Sequence, residues 1–233
     1  MKITVVSGSH RKKSQSRKIS DVVCHRLAEH QSVTQSEVID LSMMELPLWE
    51  EAIWENDPAW INRLSALSKV LQESDGFAIV TPEWHGMVPS ALKNFFLMWG
   101  EGQLAHKPAL IVSISSSNGG SYPVAELRMS SYKNNRICYI PEHLIIRNVE
   151  TIFNKDPQEN DAEVQHDLNE RMLYCIQLLI CYAEGFKPIK LYADDKNVRA
   201  WPGGVGASKV GGNYGPTISP QMSAHEHGCS QVL

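Results

Sequence analysis

Three short stretches of this 233-residue chain concentrate side chains able to do chemistry: SGSHRKKSQS at residues 7–16, TPEWHGMVPS at 81–90 and SISSSNGGSY at 113–122. The first sets Gly8 beside the hydroxyls of Ser9, Ser14 and Ser16 and the guanidinium of Arg11, directly ahead of a helical pattern. A helix N-terminus offers unpaired N–H groups and partial positive charge, and hydroxyls add directed donors, so this stretch suits a phosphate monoester. It is not GxGxxG and lacks GK[ST], which disfavours a dinucleotide or triphosphate loop. A solvated basic turn is the competing reading, because Arg11, Lys12, Lys13, Arg17 and Lys18 can all be surface charges.

A flat heteroaromatic ring needs close backbone approach, polar atoms for its edge and an aromatic wall. Pro82, Glu83, Trp84, His85 and Gly86 offer all three. Against this stands an ordinary strand-to-helix turn with Trp84 packed in the core and His85 solvated or bonded to backbone. Ser115 to Gly120 are small enough for backbone to reach a ring edge, yet alone they are only a turn. No residue stands out as a nucleophile, so no catalytic side chain is assigned.

These stretches must be positioned by something, and the runs around them say what. KITVVSG, SEVIDLS, GFAIVTP, PALIVSIS and HLIIRNV alternate with amphipathic segments, the signature of a parallel sheet with helices on both faces. The first helix, from about Gln15, places Ile19, Val22, Val23 and Leu27 on one stripe; the second opens at Asp57–Pro58 and buries Ile61, Leu64, Leu67 and Leu71. A third follows Pro89 with Leu92, Phe95, Phe96 and Trp99, and the last runs from about Asp161 to Glu184, with Gly185 as a left-handed stop. In a doubly wound sheet of order 2-1-3-4-5, the three stretches follow strands 1, 3 and 4. They converge at the switch point beyond the strands' carboxyl ends, where ligands bind.

Composition narrows the classes further. With 42% hydrophobic and 21% charged residues the chain is globular, and a net charge of −4 argues against nucleic acid as partner. No apolar run reaches about 18 residues, and the apolar run in the opening MKITVVSGSHRKK is too short for a signal peptide, so no membrane and a cytoplasmic location are expected. The five cysteines form no CxxC pair and no zinc-spaced cluster. They are expected as free thiols, mostly buried, with no metal.

The pattern GS-x-R-x-x-S-x-S from Gly8 to Ser16, LPLW at 46–49, PEWHG followed by PSALKNFF, and SISSSNGG resemble the NADPH-dependent FMN reductase family, which includes azo, quinone and chromate reductases. The resemblance covers residues 1–186 and implies a flavodoxin-like α/β domain. It implies FMN as cofactor, its phosphate held by Ser9, Arg11, Ser14 and Ser16, its isoalloxazine lined by Pro82, Glu83, Trp84, His85 and Gly86, and its far edge at Ser117 and Gly119. NADPH or NADH would be the co-substrate, a small molecule the acceptor, and a homodimer or tetramer the assembly. The family usually carries PEYN where this chain has PEWH, and often Asn at the position of Ser16, so the acceptor pocket is expected to differ. An FMN-binding electron carrier without nicotinamide turnover is the alternative.

Beyond residue 186 the character changes: six glycines fall between 203 and 215 with no helical period. This Gly-rich appendage, 187–233, resembles a fragment of the branched-chain aminotransferases, with Lys209 in ASKVGGNYG at the position of that family's Schiff-base lysine. The family's phosphate grip and pyridinium partner are not recognisable in it, so a fused fragment is expected rather than a working PLP site. A remnant of such an aminotransferase is the third reading of the whole chain.

Overall fold

The computed structural model describes residues 1–55, 57–100 and 102–194. Five parallel strands, β1 (Lys2–Ser7), β2 (Gln35–Asp40), β3 (Gly76–Pro82), β4 (Pro108–Ile114) and β5 (Cys138–Ile146), form one sheet in the order β2-β1-β3-β4-β5. The expected order is therefore met. β3 and β4 are buried along their whole length, as central strands covered on both faces must be, which explains their unbroken apolar runs.

Alternation along each strand divides the core in two. Ile3, Val5, Ala78, Val80, Leu110 and Val112 face helices α1 (Gln15–Ala28) and α5 (Ala162–Asp194). Val6, Phe77, Ile79, Ala109 and Ile111 face α2 (Pro58–Glu73), α3 (Ser90–Met98) and α4 (Ser121–Met129). The register sets Ser7 level with Val80, Pro82 with Ile114, and Ile114 with Ile146, so the chain leaves β1, β3, β4 and β5 at one edge of the sheet.

Some sequence expectations are corrected. In α2 the buried stripe is Trp60, Leu64 and Leu71 with Leu67 partly covered, and Ile61 is exposed. Both phases satisfy a 3.6-residue period; the bulk of the Trp60 indole, tied through Nε1 to Glu50 Oε1 at 2.5 Å, decides between them. β5 begins five residues before the HLIIRNV run, with an irregular register opposite Ala109 and Ile111. Helix α5 does not stop at Gly185, which is not among the positive-φ residues, and continues through Pro188 to Asp194. Proline's fixed φ is compatible with a helix, and its insertion forfeits the bond to the Glu184 carbonyl rather than ending the run. On α5, Val164 is exposed, whereas Met172, Ile176 and Leu179 are buried. Of the four cysteines described, all free, only Cys175 is buried, Cys24 and Cys138 are half-buried and Cys181 is exposed. No helix among the described residues is long and apolar enough to cross a membrane.

Candidate functional site

At the carboxyl edge of the sheet lies a cavity of about 700 Å³, open to solvent. Its first wall is the β1–α1 loop. Gly8 is required there by close approach: its N–H donates to Val80 O at 2.8 Å, and a Cβ would stand 2.7 Å from Leu92 Cδ2 and 2.9 Å from Val80 O. Ser14 caps α1, accepting from Arg17 N at 3.1 Å in the extended conformation an N-cap adopts. Ser9 Oγ accepts from Arg11 N at 3.2 Å. Both hydroxyls keep their own O–H to donate.

Ser16 is the most telling residue of this wall. It lines the cavity and is buried, with no hydrogen-bond partner for Oγ. A buried hydroxyl left unpaired is costly, so it calls for an acceptor. Among the cations at the cavity, Arg17 is committed to Asp21 at 2.8 Å and to the buried Asp40 at 3.2 Å. Arg11, Lys12 and Lys13 line the cavity on the exposed side of the loop. A dianionic phosphate placed here would meet the α1 N-terminus, three hydroxyls and the Arg11 charge, so the residues present fit that group.

The second wall follows β3. Trp84 and Met87 exchange backbone bonds of 3.0 and 2.9 Å around a tight turn whose central residues, His85 and Gly86, both have positive φ, of 51° and 73°. Such a turn suits glycine and strains histidine. It leaves Trp84 half-buried on the cavity, not in the core, with the His10 ring edge-on at 4.8 Å. Glu83 also faces the cavity, but its Oε2 accepts from Gly120 N at 2.6 Å, so the carboxylate fastens the second loop to the third. Gly119 is needed on that account: a Cβ there would lie 2.8 Å from Glu83 Oε1.

The third wall is Ile114, Ser115 and Ser116. Of the residues singled out in the sequence, Ser9, Arg11, Ser14, Ser16, Pro82, Glu83 and Trp84 are brought together around the cavity. His85, Gly86, Ser117 and Gly119 are not among its lining residues; His85 is exposed, and a Cβ on Gly86 would meet the Tyr122 ring at 3.8 Å. Sequence reasoning missed a fourth wall, Val149, Glu150 and Lys155, contributed by the segment after β5. Nothing local marks it. Lys18 ties that wall to α1, donating to Val149 O, Ile152 O and Asn154 Oδ1 at 2.8 Å each. Burial lowers the Lys18 ammonium's pKa from its ordinary value, with Glu150 and Glu159 opposing.

Five parallel strands in the order 2-1-3-4-5, with a cavity at the switch point, define a flavodoxin-like α/β protein. Residues 1–151 match the model of the NADPH-dependent FMN reductase family, and the chain belongs to that family. Solved structures agree in fold. A flavoenzyme NAD(P)H:(acceptor) oxidoreductase from Paracoccus denitrificans superposes with a TM-score of 0.62 at 20% identity, over 79% of this chain and 98% of that one. An apo NADH:FMN oxidoreductase gives 0.59 at 15% identity over 76% and 88%. An azoreductase from Bacillus anthracis gives 0.54 at 13% over 76% and 99%.

Curated relatives match a short segment of the chain. A branched-chain-amino-acid aminotransferase of Dictyostelium discoideum is 65% identical over 52 residues, which are 22% of this chain and 14% of that enzyme. The mitochondrial enzyme of Bos taurus is 54% identical over 50 residues, 22% and 13%. The chain thus spans about a seventh of the length of these relatives. Residues 195–233, Lys209 among them, lie outside the described residues.

Proposed function

We propose that the chain is an NAD(P)H-dependent flavin oxidoreductase that holds FMN in the switch-point cavity and reduces a small acceptor such as a quinone, an azo compound, a flavin or a metal oxyanion. Ser9, Arg11, Ser14 and Ser16 bind the phosphate. Pro82, Glu83 and Trp84 flank the isoalloxazine, with Ser115 and Ser116 opposite, while His85, Gly86, Ser117 and Gly119 support these loops from outside the cavity lining. The observation that carries this reading is the buried, unpartnered Ser16 hydroxyl in a cavity that also has a helix N-terminus and an indole wall. The chemistry that FMN would supply there is hydride acceptance and donation at its N5. The chain's own residues neutralise the phosphate, wall one side of the ring with Trp84, and hold the third loop in place through Glu83.

We further propose that residues 1–186 are the reductase unit and 187–233 an aminotransferase-like appendage without part in the flavin chemistry, and that the protein assembles as a homodimer or tetramer. Because α5 runs to Asp194, the appendage is best removed after that residue. The test is the visible spectrum of the purified protein and its rate of NADPH and NADH oxidation with a quinone. A yellow protein with turnover supports an enzyme; bound flavin without nicotinamide oxidation would favour the electron-carrier alternative.

A further inference from the structure

The segment between β5 and α5 is held by scattered side-chain and backbone bonds rather than by a regular element. Its regular structure from 148 to 161 is limited to the single 3-10 turns Val149–Thr151 and Pro157–Glu159, and Asn148 and Phe153 sit at φ of 47° and 53°. Val149 and Ile152 are buried and anchor it by apolar contact, but their carbonyls need partners. Lys18 provides them. Its ammonium has three donors, and all three are used: Val149 O, Ile152 O and Asn154 Oδ1. None is left for a ligand phosphate.

The ties continue on both sides. Asn154 Nδ2 donates to Glu150 O at 2.7 Å and Glu159 O at 3.1 Å, folding the segment on itself. Asn148 N donates to Ser117 O at 3.3 Å and Val149 N to Ser115 O at 3.1 Å, so the same segment also carries the loop after β4. Lys18 lies one turn beyond the hydroxyls at the start of α1. It therefore links the first wall of the cavity to the third and fourth.

We propose that Lys18 is a positioning residue: it clasps Val149–Asn154 in place as the fourth wall of the cavity, and flavin affinity depends on that clasp although Lys18 does not bind the flavin phosphate. The inference rests on the flavin reading above. It differs from a phosphate-ligand role in a measurable way, because a misplaced wall weakens every flavin, whereas a lost phosphate ligand weakens only the phosphorylated one.

Amide hydrogen exchange of the flavin-free full chain reads the clasp, and titration with FMN and with riboflavin reads its consequence. In Lys18→Met, exchange at residues 149–154 accelerates about tenfold relative to β3 and β4, and the dissociation constants of FMN and riboflavin both rise about tenfold. Asn154→Ala, which removes the Oδ1 acceptor together with the Nδ2 ties to Glu150 O and Glu159 O and leaves the ammonium, shifts all three quantities in the same direction, and it keeps the test available should Lys18→Met fail to fold. Loss of FMN affinity with riboflavin unchanged would overturn the proposal by making Lys18 a phosphate ligand. So would unchanged exchange, or faster exchange with both affinities intact. A wild-type chain that binds neither flavin would overturn the flavin reading instead, while the exchange contrast would still decide whether the clasp exists.

Discussion

Two lysines perform the same chemistry at opposite ends of the sheet. Lys107, just ahead of β4 at the amino edge, is 2% exposed and donates to Leu71 O, Gln72 O and Gln103 O at 2.6, 2.9 and 2.7 Å, with the Phe77 ring 5.7 Å away. Two of those carbonyls belong to the last turn of α2, where a cation answers both the unpaired C=O groups and the helix dipole. Lys18, at the carboxyl edge, donates to two carbonyls and a side-chain amide and lines the cavity. The ammonium at the amino edge closes a core; at the carboxyl edge it shapes a site. What separates them is not the residue but the edge, since only the carboxyl edge gathers the loops of several strands around open space.

That contrast is breakable. Lys107→Met leaves carbonyls at the α2 terminus unpaired in a closed core, and should cost about 3 kcal/mol of stability in urea melts while FMN affinity stays unchanged under folding conditions. An altered FMN dissociation constant there would show that the two edges are coupled. Arg11→Ala should do the reverse, weakening FMN by about 1.5 to 3 kcal/mol with the urea midpoint unmoved. A displaced midpoint would make Arg11 structural.

Ser16→Ala sharpens the contrast, because it separates the needs of the empty fold from those of the ligand. Removing a buried, unpartnered hydroxyl should leave the flavin-free protein as stable or more so, and should weaken FMN by about 1 kcal/mol. Equal loss in both measurements would mean that the hydroxyl has a partner within the fold.

The smallest expected effect concerns pH and lies away from the cavity. Burial pushes the Cys175 thiol up, with Glu142 adding and Arg171 opposing, and burial likewise raises the Tyr139 phenol. Groups raised in the folded state keep protons that the unfolded chain releases, so their stabilisation is complete below the unfolded values and declines as pH rises through them. Stability should fall by about 1 kcal/mol between pH 8 and pH 10, and by less in Cys175→Ala. A flat profile over that window would remove Cys175 as its source, the loss due to Tyr139 falling above pH 10, where the unfolded phenol ionises.

How much of this was legible in the sequence follows from the range of each interaction. The five strands and the first loop were readable because their signals are local: a capping serine two residues ahead of Ser16, apolar runs bounded by turn residues, a glycine where only a glycine fits. The phase of α2 was not, because Trp60 and Ile61 satisfy the same period and only contact with Glu50 separates them. The continuation of α5 past Gly185 and Pro188 was missed because both residues usually end helices. The fourth wall was illegible for a stronger reason: Lys18 and Val149 are 131 positions apart, and a charged residue in a basic stretch says nothing of a carbonyl that far along the chain.

The central claim is that the carboxyl-edge cavity recognises a flavin through its phosphate, and comparison of FMN with riboflavin by flavin-fluorescence titration of the wild-type chain tests it most directly. With a helix N-terminus, three hydroxyls and Arg11 arranged around one end of the cavity, FMN should bind at least about 100-fold more tightly than riboflavin. Equal dissociation constants, or no quenching by either, would contradict it.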